Sequence, residues 1–333
     1  MERSVGAPRA WTKADLTDRT GEIFYDLTPQ AQAEIRAGIA HIRGNEFRLG
    51  TVEQEDMRLP SFARDVAALR ERLDNGLGFF VLRGLPLDGL SLEESQILSW
   101  VVSNYLGKVI RQNYSGLRVE LLRDQKRNDG DPYRISQTNR FFEFHSDNGV
   151  LEPRPPNYIG LLCLRPAKEG GESVLVSGYT LHDEMLREQR ALLPLLYEDF
   201  EADKPKLQTR AGASDKPVVY PIYQLHGDDL YMRYNRTFLE AGSRMAGRPL
   251  DERQVAALDF LDERMQRDEL VFRYTLQRGE MLVANNLTTL HSRTAYVDSD
   301  QPGLERQLLR SWMWRRHTHP GVDPVELDRA ELG

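Results

Sequence analysis

The spacing of apolar positions changes character near residue 110 of the 333-residue chain. Ahead of that point it is helical. Thr28-Pro29 pairs a cap with a proline at the first helical position, and AQAEIRAGIAHIR continues from it to Gly44. Residues 61–73 form a second amphipathic segment that ends at Asn75-Gly76, and the apolar run GFFVLRG (78–84) predicts a strand. Ser91 and Glu94 make a capping-box pattern before SQILSWVVSNYL, a third helix stopped by Gly107. From about Val109 onward the runs are short and β-rich. LRVELLR, YIGLLCLR, ESVLVS, KPVVYPIYQL, DLYMRYN, ELVFRYTL, GEMLVANN and RQLLRSWMW are punctuated by Gly, Asp, Asn and Pro. A hairpin turn is predicted at His226-Gly227-Asp228, and helical insertions at 178–196 and 250–267. Many short strands behind a helical layer predict an α+β, mainly β architecture. The expected form is an antiparallel sandwich or jelly roll with helices outside it.

Composition narrows the classes of function. Hydrophobic residues at 40% and charged residues at 29% provide a real core and exclude disorder. The 51 acidic residues outnumber 44 basic ones for a formal charge of −7, which argues against nucleic acid as a partner. No apolar run approaches the ~18 residues of a membrane span, and the N-terminal stretch lacks the apolar core of a signal peptide. No membrane partner and a cytoplasmic location are therefore expected. Cys163 is the only cysteine, so disulfides and multi-cysteine zinc sites are impossible.

Two of the seven histidines sit in unusual contexts. His145 in FFEFHSDNG precedes Asp147 by two positions, and on an extended run both side chains point the same way, about 6–7 Å apart. His291, just beyond the apolar run of GEMLVANNLTTLHSRT, is the best candidate for a third ligand. Two imidazoles and one carboxylate on one face form the donor set of non-heme Fe(II) oxygenases. The same residues also fit a core histidine satisfied by Asp147 and a surface His291. Arg306 and Arg310 would share a strand face with Leu308, Trp312 and Trp314. Guanidinium groups on such a face need an anion, a protein carboxylate or open solvent.

H-S-D at 145–147, G-G-E-S at 170–173, His291 and R-x-x-x-R at 306–310 together resemble the TauD/TfdA family, in the clavaminate synthase-like branch of Fe(II)/2-oxoglutarate-dependent oxygenases. The likeness runs from about Ala63 to Arg315. It includes V-L-R-G-L-P at 81–86 and G-E-M-L-V-A-N-N before the distal histidine. It implies a double-stranded β-helix in a single catalytic domain, with a helical layer at 1–108, the jelly-roll core at 109–316 and a surface tail at 317–333. By the same resemblance His145, Asp147 and His291 hold Fe(II), while Ser173 and Arg306 take the distal carboxylate of 2-oxoglutarate. Arg310 then faces the substrate or closes the cosubstrate pocket. Dioxygen and 2-oxoglutarate would yield succinate and carbon dioxide while an unactivated C–H bond is oxidised. The retained carboxylate of Asp147 favours hydroxylation over halogenation. Asn285-Asn286 stands where the family often has Asp-Asn.

Substrate contacts are expected from the segment at 109–120, with Gln112, Asn113, Tyr114 and Arg118, and from Asn148. Tyr234, Asn235 and Arg236, and the aromatics Phe142 and Phe144, complete the candidates. The polar stretch at 125–133 predicts a mobile loop near the entrance. The expected partner is a small molecule, anionic or zwitterionic, and a homo-oligomer is left open. Two other classes use the same residues: a non-catalytic binder of small acids, and a zinc hydrolase with Glu143 as base.

Overall fold

In the computed structural model the described residues are 4–315, except 50, 114, 128–129, 151–154, 205–215 and 228. The expected tail at 317–333, Tyr114 and part of the 125–133 stretch lie outside them.

Three N-terminal helices form where the pattern predicts them. They are α1 (Pro29–Gly44), α2 (Pro60–Asp74) and α3 (Leu92–Leu106). The Thr28 side chain accepts the Ala31 N–H, and Ser91 and Glu94 close a reciprocal capping box, so both predicted starts have their physical cause. Later helices are α4 (Gly178–Glu188), α5 (Arg236–Met245) and α6 (Glu252–Met265). The expected insertion at 178–196 is shorter as an α-helix, because the chain leaves it at Gln189 and only a 3₁₀ turn, Leu193–Tyr197, follows. Helix α5 was not anticipated. Its buried side holds Leu239 and two small residues, Gly242 and Ser243, and Gly242 lies so close to Ala202 that a Cβ would meet its backbone at 2.5 Å.

Among the described residues two larger sheets and three two-stranded ladders carry the rest. The larger contains β1 (Phe24–Asp26), β2 (Phe79–Arg83), β3 (Lys108–Ile110), β4 (Val119–Leu122), β6 (Tyr158–Arg165), β9 (Met281–Asn285) and β11 (Gln307–Trp314). Its order is β1-β2-β9-β6-β11-β3, with β4 also paired to β11. The smaller sheet contains β5 (Phe142–His145), β7 (Ser173–Ser177), β8 (Val271–Tyr274) and β10 (Thr289–Arg293), in the antiparallel order β8-β7-β10-β5. The predicted run KPVVYPIYQL is broken into two strands, Val218–Pro221 and Tyr223–His226, which join different partners. The second of them pairs across the predicted hairpin with Asp229–Met232.

Period-two alternation sorts these strands into three apolar layers. Phe80, Leu82, Leu162, Val283 and Leu309 pack under helices α1–α3, and Val174, Val176 and Leu290 pack under α4 and α6. Phe79, Val81, Leu161, Cys163, Leu282, Leu308 and Leu175 fill the space between the sheets. Both faces are covered, so the strands read as nearly unbroken apolar runs. Where the apolar side chains of this middle layer give out, polar ones take over the same inward positions. Among the described residues no helix is long and apolar enough to cross a membrane.

The glycine pair ahead of β7 sets one wall of that polar region. Gly170 takes φ 69° in the short pairing of Glu169–Gly170 with Tyr296–Val297, and a Cβ there would sit 2.2 Å from the Ala295 carbonyl oxygen. Gly170→Ala is expected to cost roughly 3 kcal/mol in urea unfolding, from the left-handed backbone plus the carbonyl clash. Gly247→Ala, with φ 68° but nothing within 4 Å, should cost only about 1 kcal/mol.

Candidate metal centre

Strand β5 ends at His145, and Asp147 follows in a turn where Asn148 has φ 45°. The turn, rather than alternation along one strand, brings the pair together. His291 on β10 stands directly opposite His145 in the ladder, so their rings share a face, 4.3 Å apart. Asp147 Oδ1 lies 3.5 Å from His145 Nε2 and 3.9 Å from His291 Nε2. One ligand atom from each residue falls within 4.8 Å of the others. Ligands about 2.1 Å from a common ion are spaced about 3–4 Å apart, so this set fits one divalent cation.

The donors are also in the right state. His145 Nδ1 lies 2.7 Å from the Glu143 carbonyl oxygen, which assigns the proton to Nδ1 and leaves the Nε2 lone pair free. That Nε2 is buried without a hydrogen-bond partner, an orphan that an ion would satisfy. Burial and the adjacent His145 push the His291 pKa down to about 3, so its imidazole is neutral, as a ligand must be. Burial opposes the charge on Asp147. The Arg310 guanidinium outweighs it and holds the carboxyl well below the usual range.

Asp147 is gripped at every polar atom. Its N–H donates to Asn286 Oδ1 at 2.7 Å, and Asn286 Nδ2 donates back to the Asp147 carbonyl at 2.8 Å. The Trp312 indole Nε1 donates to Oδ2 at 2.8 Å, and Arg310 Nη1 reaches both carboxylate oxygens at 3.1 and 3.3 Å. Arg310 is anchored in turn by Gln112 Oε1 at 2.9 Å and Glu120 Oε2 at 2.5 Å.

A cleft of about 530 Å³, counted out to its mouth, opens from this cluster between the sheets. Ser173, Arg293 and Arg306 line it together with His145, Asp147, His291 and Arg310, over a floor that includes Leu161, Leu282 and Leu308. Arg306 is buried and makes no ion pair with a carboxylate among the described residues. Burial lowers its pKa, and burial with the nearby Arg306 pushes Arg293 down to about 10, which leaves Arg293 a cation at neutral pH.

Comparison with known proteins bears directly on this arrangement. The model of the family described as taurine catabolism dioxygenase TauD, TfdA family matches residues 44–312. The chain belongs to the TauD/TfdA family. It is 30% identical to FR-33289 synthase of Streptomyces rubellomurinus (strain ATCC 31215) over 94% of this chain and 91% of that protein. A solved asparagine oxygenase in complex with Fe(II), hydroxyasparagine and succinate superposes with TM-score 0.67 at 20% identity, over 90% of this chain and 97% of that one. The non-heme iron oxygenase OrfP with Fe, succinate and (3S)-hydroxy-L-Arg gives 0.63 at 16% identity, over 87% and 94%.

Within this TauD/TfdA chain several residues expected at the substrate are engaged by the protein itself, while Asn235 also lines a second cavity with Phe142, Phe144 and His145. Each nitrogen of Arg310 already donates within the protein, so the protein-carboxylate alternative holds for it. Gln112 serves Arg310, donating to its carbonyl at 2.7 Å. Asn113 Oδ1 organises a turn by accepting from Ser115 and Leu117, and the Arg118 carbonyl accepts from Gln112. Asn148 is buried in the turn after Asp147 and does not line the cleft. Asn235 caps α5, Tyr234 donates to Asp262, and Arg236 pairs with Glu240, Asp259 and Asp262. Phe142 does line the cleft, stacked 3.9 Å from the His145 ring. Glu143 is exposed, its backbone carbonyl accepts from His145 Nδ1, and it lines the second cavity with His145.

Sequence reasoning missed Asn286 and Trp312 as supports of Asp147, and Arg293 as a residue lining the cleft. The period-two rule could have found the last, two positions beyond His291 on the same strand. Trp312→Phe keeps the ring but removes the donor to Oδ2. It is expected to weaken Mn(II) or Fe(II) binding roughly tenfold to a hundredfold in anaerobic titration calorimetry, with little change in thermal stability.

Proposed function

We propose that this chain is an Fe(II)- and 2-oxoglutarate-dependent oxygenase that hydroxylates an unactivated C–H bond of a small carboxylate- or amino-acid-like molecule. The buried convergence of His145, Asp147 and His291 beside Arg306, which has no carboxylate partner among the described residues, carries the reading. The two imidazoles and Asp147 hold Fe(II). The iron, when bound, supplies the oxidising chemistry: one atom of dioxygen enters succinate as 2-oxoglutarate loses carbon dioxide, and the other becomes the substrate hydroxyl.

The protein's own groups bind, orient and exclude. Arg306 and Ser173 take the distal carboxylate of 2-oxoglutarate, a charge-assisted contact inside the cleft. Leu161, Leu282 and Leu308 keep water from the reacting end. Arg310 keeps Asp147 ionised, and the retained carboxylate favours hydroxylation over halogenation. The facing sheets are read as a double-stranded β-helix within a single catalytic domain, its helical layer at 1–108 and its core at 109–316. The shared middle layer and the TM-scores of the iron-oxygenase neighbours support this. Hydroxyasparagine and hydroxyarginine in those neighbours support an amino-acid-like substrate.

Purified protein with Fe(II), 2-oxoglutarate and oxygen should form succinate, faster when a screened small acid is the substrate. Asp147→Ala should abolish that turnover, at least a thousandfold by the usual scale of losing an essential catalytic group. Succinate formation at an undiminished rate in this variant would overturn the assignment.

A further inference from the structure

Of the three guanidinium groups lining the cleft, Arg293 has no role so far in the proposed reaction. Arg293 follows His291 by two positions on β10, so both enter the space between the sheets. Its partner across the ladder on β7 is Ser173, the hydroxyl read as a cosubstrate contact, and paired residues share a face. Arg293 is 8% exposed and Arg306 5%, and both line the cleft. Their guanidinium carbons lie 4.9 and 5.0 Å from the centre of one ring, Tyr296.

Neither cation has a carboxylate partner among the described residues. The acids whose fields reach them, Asp124 and Asp298, face Lys126 at 3.3 and 4.0 Å. Arg293 donates to the Arg140 carbonyl, yet its Nε is buried with no hydrogen-bond partner. Two cations removed from water side by side lose hydration and repel, so the arrangement calls for a ligand that brings negative charge.

We propose that Arg293 is the second cation of the cosubstrate subsite, and that with Arg306 and Ser173 it restricts the cosubstrate to a 2-oxo acid bearing a distal carboxylate. The inference rests on the oxygenase reading above. A monocarboxylic 2-oxo acid of the same chain length would leave both guanidinium groups uncompensated, whereas the dicarboxylate neutralises them.

The test is calorimetric titration of Mn(II)-loaded protein, which binds without turning over, with 2-oxoglutarate and with 2-oxopentanoate. Arg293→Gln is expected to weaken 2-oxoglutarate at least tenfold while leaving 2-oxopentanoate and Mn(II) affinity within twofold. Arg293→Lys should fall between, and it decides the matter if the Gln variant does not fold. Unchanged 2-oxoglutarate affinity, or equal weakening of both acids, overturns the proposal. Arg306→Gln separates the two levels. If it weakens 2-oxoglutarate and the Arg293 variants do not, only this inference fails; if neither position matters, the cosubstrate reading fails with it.

Discussion

One buried guanidinium organises the chemistry of this protein. Arg310 stands directly opposite Glu120 in the pairing of β11 with β4, and it reaches across to Asp147 from the same position. A carboxylate taken out of water normally recovers its proton. Here Arg310 keeps Asp147 ionised, and Trp312 and Asn286 fix where its oxygens point. Arg310 is itself shared between two carboxylates. The cluster therefore carries surplus negative charge facing two imidazoles, which is the electrostatic setting a divalent cation completes.

Elsewhere the cleft has the reverse polarity. Among the described residues Arg293 and Arg306 have no carboxylate partner, and Leu122, Leu161, Leu282 and Leu308 line the cleft beside them. A molecule with anionic groups at both ends and a keto oxygen suits such a gradient. The strand pairing produces it: His291 and Arg293 occupy successive inward positions of one strand, Ser173 and Leu175 those of its neighbour.

Much of this was legible in the chain. The caps at Thr28 and Ser91 are local, so their helices could be read from a few residues. The long apolar runs declared strands covered on both faces. The ligand trio was legible because His145, Asp147 and His291 stand in contexts where polar residues interrupt apolar strands. Helix α5 was hidden because its buried side relies on Gly242 and Ser243, which look like a loop. The tasks of Arg310, Asn113 and Asn235 were hidden for a different reason. A polar side chain near a site can serve a ligand or the backbone, and only the fold shows which donors are already taken.

The clasp between Asn286 and the backbone of Asp147 ties the turn after β5 to the connection between β9 and β10. Both bonds go to the backbone of Asp147, so they set where its side chain stands while leaving both carboxylate oxygens to Arg310, Trp312 and an ion. Competition among divalent ions for such a seat is settled by ligand hardness and cellular supply.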